Sequence, residues 1–370
     1  MPQKGQMHHK QIDDCAMIDE NLQDLDELDE SAEEQSELYE HFRIEVDKGQ
    51  TLIRIDKFLT DKIRNVSRNR VQSAADAGNI LVNGKAIKSS YKVKPLDSIS
   101  IVLAYPPREV DVKAENIPIS VIYEDDELLL VDKPAGMVVH PAHGNYTGTL
   151  VNALLYHLKD VPLFSTGEVR PGLVHRIDKN TSGILVIAKT ELSMNRLAKQ
   201  FFDRTTSRKY IALVWGDMEA ESGTITGHIG RSIRDRKKMQ VFPDGEQGKH
   251  AVTHWKVLER FGFVTLIECK LETGRTHQIR AHLEYIKHPL FSDEVYGGDK
   301  ILKGNLTSKY KQFVENCFEI CSRHALHAQT LGFTHPKSGN EMNFESPLPN
   351  DMNELIEKWR KYSTGKDFQE

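Results

Sequence analysis

Six apolar stretches of strand length set what this chain can fold into: Ile119–Tyr123, Leu128–Val131, Ile184–Ala188, Tyr210–Val214, Phe263–Leu271 and Ala325–Phe333. All fall far short of the roughly 20 apolar residues that a spanning helix needs, so no membrane segment is expected. Helical periodicity appears among them, at Thr149–Leu158, Glu191–Asp203 and Asp351–Lys361. The helices are interspersed without strict alternation. An α+β body with a mixed, largely antiparallel sheet is therefore expected rather than a doubly wound one. At 370 residues the chain also exceeds what one core usually supports, so further domains are expected.

Charge divides the chain in the same way. Residues 1–40 hold 13 Asp and Glu against Lys4 and Lys10, whereas residues 43–104 hold 12 Lys and Arg against 6 Asp and Glu. The remainder is balanced, so the formal net charge of −5 hides an acidic tail, a basic module and a neutral body. Residues 1–42 are nearly without aromatics and cannot bury enough apolar surface to offset ordering entropy, so a disordered tail is expected. A second reading makes that tail an electrostatic mimic of RNA that shields the basic module. The module itself favours a polyanion, because each neutralised phosphate releases condensed counterions. Nucleic acid leads over an acidic lipid surface. Four cysteines are too few for a disulfide framework at this length, and the N-terminus has no apolar signal region, which reads as cytoplasmic.

Within residues 43–104, Ile55, Phe58, Leu59 and Ile63 repeat at helical spacing, and Ser67 is placed to cap a second helix carrying Val71, Ala74 and Ala75. Gly78 stops that helix, Ile80-Leu81-Val82 reads as a strand, and Asn83-Gly84 is a strong hairpin signal. The faces left over carry Arg54, Lys57, Lys62, Arg64, Arg68, Arg70, Lys85 and Lys88. Of these, Arg54, Lys57, Arg68, Arg70 and Lys85 are the candidates for contact with RNA. Tyr105-Pro106-Pro107 cannot continue a regular element, so a linker is expected over 105–117, the body over 118–350, and a C-terminal helix and tail over 351–370.

Four stretches of the body carry chemistry-bearing residues. They are Val131–Gly136 with Val138–Pro141, Arg170–Gly183, Ser207–Gly216 and Leu271–His282. The second places Arg176, Asp178 and Lys179 on a turn just ahead of an apolar strand, a way for a rigid scaffold to present reactive groups from a loop. Asp178 is the candidate reactive group, with a turn or helix-capping role as its alternative. Tyr210 near the start of its strand is open to a packing role. Arg231, Arg234, Arg236, Lys237 and Lys238 sit in a loop between strands, as an RNA-gripping finger or as solvated charge. Cys317, Cys321, His324 and His327 suggest zinc, but the cysteines are four apart rather than in the two-residue knuckle of structural sites. No metal is expected.

These residues also carry a resemblance. Ile55–Leu59, Ser67-Arg68-Asn69-Arg70 and Val82-Asn83-Gly84-Lys85 are similar to the S-four-like RNA-binding domain, in which a helix pair and a small hairpin sheet present a basic surface to structured RNA. The four body stretches, in their order, resemble the ribosomal large-subunit pseudouridine synthases of the RluA and RluD type, and the domain in front narrows this to the RluD-like branch. His175-Arg176-Ile177-Asp178-Lys179-Asn180-Thr181-Ser182-Gly183 and Gly274-Arg275-Thr276-His277-Gln278-Ile279-Arg280 carry it, with Gly248–Thr253, Leu326-His327-Ala328, Phe333–Pro336 and Ser346–Pro349 as further matches. The resemblance spans about residues 43–350. One stretch departs, Phe291-Ser292-Asp293, where the family usually shows Gly before the Asp.

The resemblance implies isomerisation of uridine within RNA: the bond from C1′ to N1 is broken, the uracil turns, and C5 is joined to C1′. It implies no cofactor. It assigns Asp178 as the carboxylate beside the sugar, where breaking a glycosidic bond develops positive charge. Attack on C1′ and removal of the C2′ proton both stay open for it. Arg280 is implied as the cation that holds Asp178 ionised, ahead of Arg275. Tyr210 is implied to face the ring as base or stacking group, and Arg176 to support the space left by a uridine that must leave the stack. The partner is then RNA, from a large ribosomal subunit, and the chain acts as a monomer. The competing readings are a ribosome-associated RNA-binding factor without catalysis, a nucleoside hydrolase, and a synthase acting on transfer RNA.

Overall fold

The computed structural model describes residues 39–63, 68–103, 112–141, 145–164, 172–235 and 237–365, without the side chains at 39, 41, 70 and 103. The acidic stretch up to residue 38, Arg64, Ser67, Tyr105-Pro106-Pro107, Arg170-Pro171, Arg236 and the side chain of Arg70 lie outside the described residues. The chain forms two compact units, one reaching to Val112 and including Ala142–Tyr146, the other comprising Lys113–Pro141 and Thr147–Glu370.

The first unit runs β1 (Tyr39–Glu45), β2 (Ile53–Arg54), α1 (Ile55–Lys62), α2 (Arg68–Asp76), β3 (Ile80–Val82), β4 (Lys85–Ala86), β5 (Lys92–Val93) and β6 (Ser98–Leu103). Strand β1 begins inside the stretch expected to be tail, because Phe42, Ile44 and Val46 alternate towards the core and its backbone pairs with β6. The sheet order is β1-β6-β3-β4, all antiparallel, with β2 and β5 as a separate pair. Asn83 and Gly84 take positive φ of 50° and 76°, as the tight turn between β3 and β4 requires. Ile55, Phe58, Leu59 and Ile63 bury one face of α1 against Val71, Ala74 and Ala75 of α2 and the apolar side of the sheet.

Asp56 is fully buried on that first helix and accepts from Arg54 Nη2 at 2.9 Å, Arg68 Nε at 3.1 Å and Gln72 Nε2 at 2.7 Å. The hydrogen bond from Arg54, helped by Gln72 and Arg68, outweighs burial and holds the carboxyl far below the usual carboxylate range. A folded-state pKa below the unfolded value of about 3.9 contributes stability that is present above that pH and is lost as pH falls through the acid range. Amide exchange of residues 53–82, taken relative to the intrinsic rate at each pH, should therefore quicken as the pH drops below about 4. In Asp56→Asn it should be faster at neutral pH and nearly flat over the same acid range; an identical acid response in the variant would remove Asp56 as its cause.

The second unit runs β7 (Ser120–Glu124), β8 (Leu128–Lys133), α3 (Leu150–His157), β9 (Ser182–Ala188), α4 (Glu191–Asp203), β10 (Ser207–Trp215), β11 (Ser222–Arg231), β12 (Met239–Phe242), β13 (Lys249–Arg260), β14 (Val264–Leu271), α5 (Gln278–Tyr285), α6 (Ser308–Ile320), β15 (Leu326–Thr334), β16 (Glu341–Glu345) and α7 (Asn350–Thr364). Its ten strands form one sheet in the order β12-β11-β13-β14-β10-β15-β9-β8-β7, with β16 paired to β15. Strands β15 and β9 pair in parallel, and the other pairings are antiparallel.

All seven residues of β9 are buried, as a strand covered on both faces must be. Leu185 and Ile187 pack with Leu150 and Leu154 of α3, whereas Ile184 and Val186 pack with Leu197 of α4. Two domain edges differ from expectation. Lys113 and Glu115, placed in the linker, are bonded to the body: Asn152 Nδ2 donates to Lys113 O at 2.8 Å, and Glu115 N donates to Asn152 O at 2.9 Å. The helix set apart after residue 350 buries Met352, Leu355, Ile356 and Trp359 in a cluster with Trp215 and Phe291, so it completes the body's core. Among the described residues no helix is long and apolar enough to cross a membrane.

Candidate active site

Three connections converge where β9 begins. Lys133, at the end of β8 and 1% exposed, donates from Nζ to Pro134 O, Met137 O and Lys179 O at 2.8, 2.8 and 2.9 Å. Gly136 N also donates to Lys179 O at 2.9 Å. The Pro/Gly loop after β8 is thereby bonded to the backbone one residue beyond Asp178. Burial pushes the Lys133 ammonium down to about 7, although three carbonyls accept its protons. On the upstream side, Val186 N donates to His175 Nε2 at 3.0 Å, and Thr181 N closes a turn onto Asp178 O at 3.1 Å. Asp178 is thus held on a braced loop.

Helix α5 brings the opposite charge. Arg280 Nη1 donates to Asp178 Oδ2 at 3.1 Å, while its Nε and Nη2 donate to Asp293 Oδ2 and Oδ1 at 2.8 and 2.9 Å. Asp293 occupies both nitrogens on one edge of the guanidinium and leaves Nη1 for Asp178. The Tyr296 ring lies 4.9 Å from the Arg280 guanidinium carbon, and its hydroxyl is 3.1 Å from His277 Nδ1. His277 Nε2 is in turn 3.9 Å from Asp178 Oδ2. Arg275 does not pair with Asp178; its Nε donates to His250 O at 3.3 Å.

Asp178, Arg280, Tyr210 and Arg176 line one cleft of about 460 Å³, with His277, Arg275 and Arg208 among its other walls. Asp178 keeps 21% side-chain exposure through the mouth, and Arg176 is exposed. Burial acts to raise the Asp178 carboxyl, but His277, Arg280 and His324 together hold it below its ordinary value. Burial lowers the His277 imidazole and raises the Tyr210 phenol, so both are neutral at neutral pH.

The remaining candidates lie elsewhere. Arg54, Lys57, Arg68 and Lys85 are exposed on the first unit. Lys237 is exposed and Lys238 half-buried after the turn between β11 and β12, with Lys238 Nζ 5.6 Å from the Tyr296 ring centroid. Three of the four residues weighed as zinc ligands have other partners: His324 Nε2 meets Thr181 Oγ1 at 2.9 Å, His327 Nδ1 meets Ser182 Oγ at 3.0 Å, and the Cys321 thiol donates to Arg323 O. Among the described residues no cluster suited to a metal ion occurs.

A family model described as RNA pseudouridylate synthase matches residues 127–285, and a model of the S4 domain matches residues 53–99. An RNA pseudouridine synthase of Chlorobaculum parvum is 48% identical over 323 residues, 87% of this chain and 98% of that protein. The chain belongs to the RNA pseudouridine synthase family. This synthase is also 42% identical over 305 residues to the ribosomal large subunit pseudouridine synthase D of Zymomonas mobilis, covering 82% of this chain and 92% of that one. The synthase fold recurs in human RNA pseudouridylate synthase domain containing 4, at a TM-score of 0.51 and 22% identity over 65% of this chain and 93% of that one.

Sequence reasoning about the synthase overlooked Asp293, His277, Tyr296 and Lys133. His277 lies inside the quoted Gly-Arg-Thr-His motif and Lys133 inside the first stretch, so both were available as signals. Asp293 ends the one stretch that departs from the family pattern and Tyr296 follows it, and only the fold brings them to Arg280.

Proposed function

We propose that the synthase isomerises specific uridines of large-subunit ribosomal RNA to pseudouridine, with Asp178 acting on the sugar of a uridine flipped into the cleft. The observation that carries this reading is the row Asp178, Arg280, Asp293, of which Asp178 and Arg280 line the cleft together with Tyr210. A carboxylate kept ionised in an enclosed site suits the positive charge that develops at C1′ as the bond to N1 breaks. The uracil then turns and C5 bonds to C1′; C5 gives up its proton and N1 gains one. Tyr210, neutral at rest, fits the task of holding the ring by stacking better than that of a resting base. A cleft of about 460 Å³ is of the size that takes a nucleotide-scale ligand. Arg176 at the mouth suits support of the vacated stack, and the exposed cations of the first unit suit structured RNA. The ribosomal target is favoured by relatives such as the ribosomal large subunit pseudouridine synthase D of Zymomonas mobilis.

The test uses large-subunit and transfer RNA transcripts labelled with 5-tritiated uridine, with sequencing of the product. Tritium release from the large-subunit transcript at a few discrete uridines is expected. Release from transfer RNA alone would reassign the substrate, and free uracil in the product would point to hydrolysis instead.

A further inference from the structure

Arg208 is a charged wall of the cleft to which the reaction above gives no task. Strand β10 sets Arg208 and Tyr210 two residues apart on one face, each 8% exposed. Three arginines are buried among the described residues. Arg280 pairs with Asp178 and Asp293, and Arg323 pairs with Asp351. Arg208 pairs with no carboxylate among the described residues, and its Nε is sealed from solvent without an acceptor.

The surroundings hold this cation in place without neutralising it. The Phe201 ring lies 5.5 Å from the guanidinium carbon, and Phe201 in turn stacks on His175 at 4.5 Å between centroids. On another side Gly274 makes room, since a Cβ there would stand 2.7 Å from Arg208 Nη1. Burial opposes its charge. An ion buried without a partner is among the costliest features a folded chain can hold. A guanidinium kept in that state, opening on a cleft, is a socket for an anion.

Two anions are available to an RNA isomerase: the phosphodiester, which is permanent, and the uracil after detachment, which exists only in passing. Arg208 is unpaired in the resting protein, which matches a partner that arrives with the substrate. Its planar fork fits two phosphate oxygens at once. The same cleft wall continues to Arg204 and to Phe202, which at 85% is the most exposed large apolar side chain among the described residues. An exposed ring beside a line of cations is how single strands are led along a surface.

We propose that Arg208 is a phosphate-binding residue that takes the phosphodiester next to the target uridine and anchors the strand as that nucleotide enters the cleft. This rests on the reading of the cleft as the site of an RNA isomerase. In the full chain, Arg208→Gln and Arg208→Lys are compared with wild type by binding and tritium release on the labelled large-subunit transcript across a salt series. Arg208→Gln should weaken binding about ten-fold or more at low salt and lower the slope of log Kd against log salt by about 0.7, the value for one single-strand phosphate contact. KM should rise more than kcat falls, and Arg208→Lys should recover part of the affinity, as a charge without a fork. The thermal midpoint of Arg208→Gln should equal or exceed that of wild type, because an unpaired buried charge has gone. A lower midpoint together with weaker binding would make Arg208 a structural brace. A fall in kcat with KM and salt slope unchanged would assign it to the detached uracil, and either result overturns the proposal. Wild type that binds the transcript without releasing tritium would defeat the isomerase reading instead, while the binding and salt arms would still judge Arg208.

Discussion

Asp178→Asn is expected to abolish release of the C5 hydrogen from labelled RNA, by about a thousand-fold or more, while RNA affinity stays within a few-fold of wild type. In the proposed reaction the substitution removes a full charge beside the carbon where positive charge develops; removing even one neutral donor from such a position costs about 10²–10³ in kcat. The substitution separates chemistry from folding. An asparagine is the same size, and its Oδ1 can still accept from Arg280 Nη1, the bond that is 3.1 Å in the native site. The Lys133, Thr181 and Gly136 bonds that brace the loop are to backbone atoms and remain. Arg280 also keeps both bonds to Asp293, so no buried charge is orphaned and the thermal midpoint should move by only a degree or two, the usual scale for about 0.5 kcal/mol in a protein of this size. Binding measured alongside turnover decides the matter. Substantial turnover with intact binding would remove Asp178 from the chemistry, and lost binding would assign it to recognition.

Five of the six strands that the apolar runs marked, β8, β9, β10, β14 and β15, lie inside the sheet, where burial on both faces writes itself as an unbroken apolar run; β9 is the plainest case, and the sixth, β7, is an edge strand. The half of the sheet that lies beyond β14 was not legible in that way. Strand β11 carries Gly223, Gly227 and Gly230, which interrupt any apolar run, and Gly223 faces the Trp255 ring so closely that a Cβ there would stand 2.7 Å from it. A cross-strand packing demand is invisible until the partner strand is known. The motif residues Asp178, Tyr210 and Arg280 were readable individually, and the fold lines them along one cleft. What sequence could not supply is the second carboxylate on Arg280. Ser292 marks the spot: its φ is +59° and its buried hydroxyl finds no partner, a position that would suit the glycine expected there from the resemblance. The turn keeps the unfavourable residue and still delivers Asp293, 1% exposed, to the guanidinium.

That delivery gives the second large effect: Asp293→Ala should destabilise the body by about 3–5 kcal/mol, because the buried Arg280 guanidinium loses its two-point partner and keeps only the single bond to Asp178. Asp293 accepts Arg280 Nε and Nη2 and also the backbone N–H of Tyr296 at 3.1 Å, so alanine orphans three donors at once. Turnover should fall as well, by about a hundred-fold, because a guanidinium no longer fixed along one edge can turn both of its forks onto Asp178 and pull the carboxylate from the sugar. Urea unfolding and tritium release on the same preparation measure the two effects. The combination with Arg280→Met separates them. With the guanidinium gone, the two donors that alanine left without an acceptor are also gone, so the double variant should be more stable than Asp293→Ala alone, a coupling expected only for groups in one network. It should not recover turnover, since Asp178 then has no cation at 3.1 Å to keep it ionised. Stability restored without activity would mean that Asp293 serves the fold and Asp178 through one side chain, Arg280. Purely additive losses would mean that its contribution runs through the Tyr296 turn instead.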